Sequence, residues 1–210
     1  MKLPFEERNF IREVCTDMDP FYINIGKECF PKAHIVIDHY HVIQWGLQKL
    51  DRVRCILQTV HKKNMMNIKH ILLKSNFQLK EEEFLKLKGW FEKFPELKTA
   101  WKIIHQFRKI YWQKNWKQAY SQLRKVIWLC NQSKISDMED LAKTLMRWKF
   151  EILNYYISKT TNAKTEALHN RFETIKRLHC GVRNIKRFSK RLMFCTLPFS
   201  IISYIFAQTV

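Results

Sequence analysis

The chain has 210 residues, of which 46% are hydrophobic and 14% aromatic, so it can bury a substantial core and intrinsic disorder is not its default state. Four glycines and five prolines are few, which favours long helices over a strand-and-turn architecture. Lysine and arginine number 38 against 19 acidic residues, and the formal charge of +19 predicts a polyanionic partner, for which nucleic acid is the usual choice.

The distribution of basic residues and of cysteines further limits the type of partner and the type of metal site that the chain can have. Basic residues are spread through every predicted helix instead of flanking one apolar span, so nucleic acid is favoured over an anionic membrane surface. The six cysteines are never closer than fourteen positions, which excludes CxxC pairs and makes a zinc ribbon within this chain an unfavoured interpretation. The first residues form no apolar run typical of a secretory signal, so we expect a cytoplasmic protein with reduced thiols.

The first predicted elements alternate between strand and helix. Glu13–Thr16 is a short predicted strand that ends at Asp17. Asp19 precedes Pro20, and proline in a first helical turn predicts a helix from there to about Phe30.

A second predicted strand follows Pro31, which closes that helix. Residues His34 to Ile37 are apolar and mostly β-branched, which is typical of a buried parallel strand. The strand ends in Asp38, and His41 lies three positions later, at a strand-to-helix junction.

Residues 42–158 are predicted to form an all-α bundle. Apolar residues recur there at steps of three and four, the spacing of an amphipathic helix. The breaks between the runs fall at Asn64, Ser75-Asn76, Phe94-Pro95 and Asn131-Gln132-Ser133.

The bundle segment is rich in tryptophan and in basic residues. Tryptophans at helical spacing are more often core residues than base-stacking platforms, and we expect burial of Trp101, Trp112, Trp116, Trp128 and Trp148. The basic residues around them are the better candidates for phosphate contacts, namely Lys98, Lys102, Arg108, Lys109, Lys114 and Lys117.

Two helices are predicted after a polar break at residues 158–162. The first runs from about Ala163 to His179 and ends before Gly181, the residue type expected at a helix C-terminus. The second is basic and covers about residues 184–194. The apolar tail, residues 195–210, is short for a bilayer span, so a packed or frayed tail is favoured over a membrane anchor.

Three acidic positions each allow a structural and a chemical interpretation. Asp17 alone is more often a helix cap or an Asx turn, but it also lies where open α/β sheets place their ligands. Asp38 and His41 share one face of a first helical turn, either as a cap with a buried histidine or as a pair that orients a metal site. Glu166 opens a polar stripe that by itself would indicate only a solvated helix face.

Two sequence frames carry a resemblance to a known family. The first frame is Asp17-Met18…Tyr22…Phe30-Pro31-x-Ala33-x-Ile35-Val36-x-Asp38-x-x-His41-Val42, and the second is Asn162…Glu166…Asn170…Lys176…Gly181-Val182-Arg183-Asn184. Over about residues 10–194 the chain resembles the transposases of the ISL-three group of bacterial insertion sequences. Mutator-like relatives share the D-x-x-H or C-x-x-H signature of that group.

The resemblance implies a fold and a set of catalytic residues. In the family, a ribonuclease-H-like α/β core is interrupted by a helical insertion before its last catalytic helix. By analogy Asp17 is the second Asp of the DDE triad and Glu166 is its Glu, while Asp38, His41 and Asn170 are accessory. Two Mg²⁺ or Mn²⁺ ions about 3.5–4 Å apart would be held by Asp17 and Glu166, because these hard cations prefer carboxylate oxygens.

The partners implied are DNA, as element ends and target, and possible transposase protomers. Basic residues near Glu166 in sequence are expected to contact phosphates, and these are Lys176, Arg177, Arg183, Lys186 and Arg187.

The sequence also departs from the family pattern. The family's first Asp lies upstream of the strand that ends at Asp17, and we expect these 210 residues to lack it. Ala167 replaces the glycine that usually follows the catalytic Glu. We therefore expect a truncated transposase that cannot cut DNA alone.

The resulting prediction is a predominantly helical α+β protein in four parts. Residues 1–41 would be a partial ribonuclease-H-like core, 42–158 the helical insertion, 159–194 the catalytic and basic helices, and 195–210 the tail. The alternative function is a non-enzymatic, helical DNA-binding remnant that interferes with an intact transposase.

Overall fold

A computed structural model describes residues 4–178 and 184–196 and contains one small sheet among many helices. Strand β1 (Glu13–Thr16) pairs in parallel with β2 (His34–Ile37), and Thr16 lies opposite Ile37. Helix α2 (Pro20–Cys29) connects them. Both predicted strands are confirmed with the same bounds, as is the predominantly helical α+β class.

The remaining described elements are helical. A single turn, α1 (Phe5–Arg8), precedes β1. From His39 to Ser158 every described α-helix belongs to one all-helical series, in agreement with the helical periodicity of that segment. That series comprises α3 (His39–His61), α4 (Lys69–Leu72), α5 (Glu81–Lys93), α6 (Pro95–Arg108), α7 (Trp116–Gln132), α8 (Ser136–Arg147), α9 (Lys149–Leu153) and α10 (Tyr155–Ser158).

Two further helices follow the bundle. Helix α11 (Ala163–Leu178) matches the predicted catalytic helix, and α12 (Ile185–Thr196) matches the predicted basic helix. The predicted terminator Gly181 and the apolar tail beyond Thr196 lie outside the described residues. The chain divides into two compact units, Met1–Thr161 and Asn162–Val210. Among the described residues, no helix combines the length and apolar character that crossing a bilayer requires.

The strands share one hydrophobic core with the bundle. Ile35 and Ile37 of β2 belong to the same buried cluster as Leu50 of α3, Phe107 of α6 and Ile152 of α9. All three residues at positions 35–37 are at most 4% exposed, so both faces of β2 are covered. A sheet of two strands is marginal alone, and here helices of the bundle pack on β2 and cover it.

Two polar contacts attach the end of the bundle to β2 and α2. Asn154 Nδ2 donates to the carbonyl oxygen of Ile35 at 2.9 Å, on the edge of β2 that faces away from β1. Lys27 Nζ on α2 lies 2.6 Å from Glu151 Oε1 on α9. The first contact satisfies a backbone acceptor that an edge strand would otherwise leave open.

The tryptophans divide between the core and the surface. Trp101 and Trp148 are each 8% exposed, as predicted. The prediction is wrong for Trp112, Trp116 and Trp128, which are 53%, 36% and 60% exposed. The core face of α7 consists of smaller residues, so its tryptophans fall on other faces; those core residues are Ala119, Leu123, Val126 and Cys130.

A close approach between α3 and α6 requires glycine at position 46. A Cβ built there would lie 2.8 Å from Cδ1 of Phe107, whose ring is 1% exposed. We predict that Gly46→Ala lowers the free energy of unfolding by about 1–3 kcal/mol, because the buried ring must shift. Urea denaturation measures the effect.

Gly89 supplies the matched control. It also lies within a helix, but a Cβ there would meet nothing within 4 Å. Gly89→Ala should stabilise the protein by roughly 0.5–1 kcal/mol, the usual gain from alanine in a helix interior. Equal effects of the two substitutions would contradict the packing argument.

Candidate active site at the strand ends

The parallel pairing brings two acidic residues to the same edge of the sheet. Because Thr16 lies opposite Ile37, the next residues, Asp17 and Asp38, both follow the carboxyl ends of their strands. The backbone N–H of Asp38 donates to the carbonyl of Thr16 at 2.9 Å, which extends the pairing to this point. Ligand sites of parallel sheets lie at this edge.

His41 lies between the two carboxylates. Its Nδ1 is 3.1 Å from Oδ2 of Asp38 and 3.3 Å from Oδ1 of Asp17. Asp38 occupies the N-cap position of α3, yet its side chain makes no capping hydrogen bond. Its carboxylate is therefore committed to the histidine and not to the helix end.

The two aspartates differ sharply in exposure. The side chain of Asp38 is 4% exposed, whereas that of Asp17 is 50% exposed. A buried carboxylate needs polar partners to offset its lost hydration. The hydrogen-bonding partner of Asp38 is His41, on Oδ2, while His39 Nδ1 lies 3.5 Å from Oδ1 without forming a hydrogen bond. Asp17 is thus the carboxylate that a ligand can reach, and Asp38 is the one that fixes the histidine.

Aromatic residues of the bundle enclose the far side of Asp38. The ring of His39 lies 5.6 Å from that of Tyr111 and 5.4 Å from that of Tyr155. Burial, with Tyr156, Asp38 and Tyr155 nearby, raises the pKa of Tyr111 well above its ordinary value. Tyr111 therefore stays neutral and adds no further negative charge beside Asp38.

The pKa of a neighbouring thiol responds to burial and to the negative charge at the strand ends. Burial, followed by the charges of Asp38 and Asp17, raises the pKa of Cys15 to about 12. The negative charges of Asp17 and Asp38 meet at one ring nitrogen of His41. A cation would offset that charge.

A shallow pocket of about 270 Å³ opens beside Asp17. Tyr22 of α2 forms one side of it, and a single face of α3 forms the other, with Gln44, Trp45 and Gln48 following His41. Gln44, Trp45 and Gln48 were not among the predicted site residues, although their spacing of three, four and seven from His41 places them on the same helix face.

Asp17 fits a divalent cation by its chemistry. It offers a carboxylate oxygen, the donor that Mg²⁺ prefers, and half of its side chain is accessible beside a polar pocket. Asp19, the other acidic residue of this segment, instead accepts from the N–H of Phe21 at 2.8 Å and caps α2.

The remaining predicted site residues belong to the second unit. Glu166 is exposed in the first turn of α11, and its N–H donates to the carbonyl of Asn162 at 2.9 Å. Asn170 follows one turn later and is also exposed. The predicted phosphate contacts are exposed where described, at Lys176, Arg177, Lys186 and Arg187, whereas Arg183 lies outside the described residues.

Comparison with known families identifies a match. A family model described as transposase, for the DDE enzymes of the ISL-three group, matches residues 1–192. No curated protein matches the chain, and no solved structure does. The matched residues include both strands, the bundle and nearly all of the last two helices.

The free energy of unfolding distinguishes the roles of the two neighbouring aspartates, Asp17 and Asp19. We predict that Asp19→Ala lowers the free energy of unfolding by about 0.5–2 kcal/mol, because it removes an N-cap. Asp17→Asn should change it by less than about 0.5 kcal/mol, as expected for a half-exposed side chain. Thermal and urea denaturation measure both. A loss at Asp17 as large as that at Asp19 would make Asp17 a structural residue.

Proposed function

This chain belongs to the transposase family of the ISL-three group, and on that premise we propose that it takes part in DNA cleavage and strand transfer through a DDE metal site. In this proposal, Asp17 and Glu166 are the carboxylate ligands, and the two strands are part of a ribonuclease-H-like core. DDE transposases generally use divalent metal ions, and Mg²⁺ or Mn²⁺ is proposed here.

One observation carries the proposal more than any other. A half-exposed carboxylate stands at the end of a parallel strand, and a histidine held by a second, buried carboxylate contacts it. This arrangement is typical of a metal site whose ligand is oriented by a hydrogen-bonded neighbour. An aspartate that only faced solvent would need neither the histidine nor the buried carboxylate that holds it.

The residues of the chain have distinct proposed tasks. Asp38 fixes the ring of His41, and His41 in turn fixes the carboxylate of Asp17, so both are positioning residues. Glu166 supplies a second carboxylate from a helix, and Asn170 lies one turn after it on the same face. Asp17 and Glu166 would hold the divalent ions, whose chemistry would be activation of the attacking water or 3′-hydroxyl and stabilisation of the leaving oxygen.

The proposed site is incomplete within these residues. A DDE site has three carboxylates, and the family frame assigns two of them to this chain, at Asp17 and Glu166. Asp38 is nearly fully buried and its Oδ2 is hydrogen-bonded to His41, so it is a poor substitute for the third. We propose that the 210 residues do not cut DNA unaided.

A second candidate function is DNA binding without catalysis. It is favoured by the exposed basic residues of α11 and α12, Lys176, Arg177, Lys186 and Arg187, which with Arg183 would contact phosphates. Such a protein would compete with an intact transposase for element ends, or join its protomers.

A cleavage assay tests the first proposal. Purified chain with Mg²⁺ or Mn²⁺ and DNA bearing the element's ends should give no cleavage. The same chain fused behind the N-terminal region of an intact ISL-three transposase, which supplies the first Asp, should cut. Asp17→Asn or Glu166→Gln should abolish that cleavage, because each removes a metal ligand.

Asp19→Asn in the same fusion is the matched control and should leave cleavage in place. Cutting by the unaided chain that Glu166→Gln abolishes would overturn the claim of incompleteness. A fusion that cuts equally well with Asp17→Asn would overturn the assignment of Asp17.

A further inference from the structure

The middle of the bundle is basic without any compensating acid. Residues 97–136 contain no aspartate or glutamate. They contain nine lysines and arginines: Lys98, Lys102, Arg108, Lys109, Lys114, Lys117, Arg124, Lys125 and Lys134. An uninterrupted run of one charge sign over about two helices produces a positive surface that attracts a polyanion.

Arg108 does not contribute to this positive surface. It is 9% exposed and donates from Nη2 to the carbonyl of Leu73 at 2.5 Å, so it stabilises the fold. The expectation that Arg108 contacts phosphate is therefore wrong. The lysines of α6 and α7 that were expected at the surface are exposed, namely Lys98, Lys102 and Lys117.

A groove runs along the boundary between α6 and α7. Its volume is about 420 Å³, and its apolar floor includes Ile103 and Leu129. Gln122 of α7 ties the helices together by donating from Nε2 to the carbonyl of Gln106 on α6 at 2.7 Å. Around the floor lie one aromatic ring, two lysines and several polar groups: Trp128, Lys102, Lys125, Thr99, Gln106 and Gln132.

The ring and the cations of this groove have no partners within the described part of the chain. Trp128 is 60% exposed, and no aromatic or cationic group among those residues covers its ring. Trp116, by contrast, stacks on Tyr120 with centroids 5.1 Å apart. Neither Lys102 nor Lys125 pairs with a carboxylate of the described residues. The groove therefore exposes an aromatic face beside unneutralised positive charge.

We propose that this groove binds single-stranded DNA, with an unpaired base stacked on Trp128 and the adjoining phosphates contacted by Lys102 and Lys125. The proposal rests on the proposed function, because it takes DNA as the partner. Stacking on an aromatic side chain accepts any base, since every base has a π-face, and lysines beside the ring follow the backbone.

Charge and shape favour a single strand over other occupants. The absence of acidic residues from 97 to 136 disfavours a basic protein partner and favours a polyanion. A duplex offers phosphates to lysine but keeps its base faces stacked, so it would leave Trp128 and the apolar floor unused. Only an unpaired base uses the ring, the floor and the lysines together.

Fluorescence anisotropy with the full chain tests the proposal. The probes are a labelled oligo-dT of ~10 nucleotides, within the range that such sites cover, and a labelled duplex. Trp128→Ala should weaken oligo-dT binding roughly 5- to 140-fold, the loss expected from one stacked base. Duplex binding should be nearly unchanged, and Trp128→Phe should recover most of the affinity.

The lysines are tested by salt dependence. The double substitution Lys102→Ala with Lys125→Ala should reduce the slope of log affinity against log salt by about 1.4 for the single strand, at about 0.7 per phosphate contact. Matched controls are Trp112→Ala, another half-exposed tryptophan, and Lys86→Ala with Lys88→Ala on α5. These controls should leave binding of oligo-dT unchanged.

The outcomes distinguish a failure of the groove proposal from a failure of the proposed function. Unchanged oligo-dT binding by Trp128→Ala, or equal losses for oligo-dT and duplex, would overturn the groove proposal. If binding then falls when Lys176, Arg177, Lys186 and Arg187 are replaced by alanine, the proposed function stands without the groove. A chain that binds neither probe would contradict both.

Discussion

The parallel pairing of two four-residue strands is the constraint on which the candidate site depends. It places Asp17 and Asp38 at one edge and brings α3 to its starting point beside them. Two strands alone would not hold this register. They hold it here because β2 is buried in the core of the bundle and because Asn154 satisfies the outer edge at Ile35. The helical segment is thus part of what makes the site rigid.

The same arrangement explains why Asp38 and Asp17 differ. The bundle surrounds Asp38 with His39, Tyr111 and Tyr155, so this carboxylate is buried and must be satisfied by imidazole. Asp17 follows a half-buried strand and remains accessible. A D-x-x-H motif on one helical turn can therefore orient a carboxylate that follows another strand. A helical bundle that also supplied the proposed groove would combine support of the candidate site with contact to DNA.

The sequence predicted the local elements well, because their signals are local. A β-branched apolar run after Pro31 predicted β2, and Asp19-Pro20 predicted the start of α2. The aspartates that end the strands could be found for the same reason. The exposure of Trp128 could not be predicted, because it depends on which face of α7 packs on α6 and α8. The contact between His39 and Tyr111 joins residues 72 positions apart, and no spacing rule predicts such a pair.

The central claim is that Asp17, oriented by His41, is a metal ligand, and Mn²⁺ binding to the full chain, measured by electron paramagnetic resonance, tests it most directly. The account predicts that wild-type protein and Asp19→Asn bind Mn²⁺ alike. His41→Ala should weaken binding by roughly 10- to 100-fold, the usual loss when the neighbour that orients a ligand is removed, and Asp17→Asn should weaken it at least as much. Equal affinity of all four proteins would contradict the account.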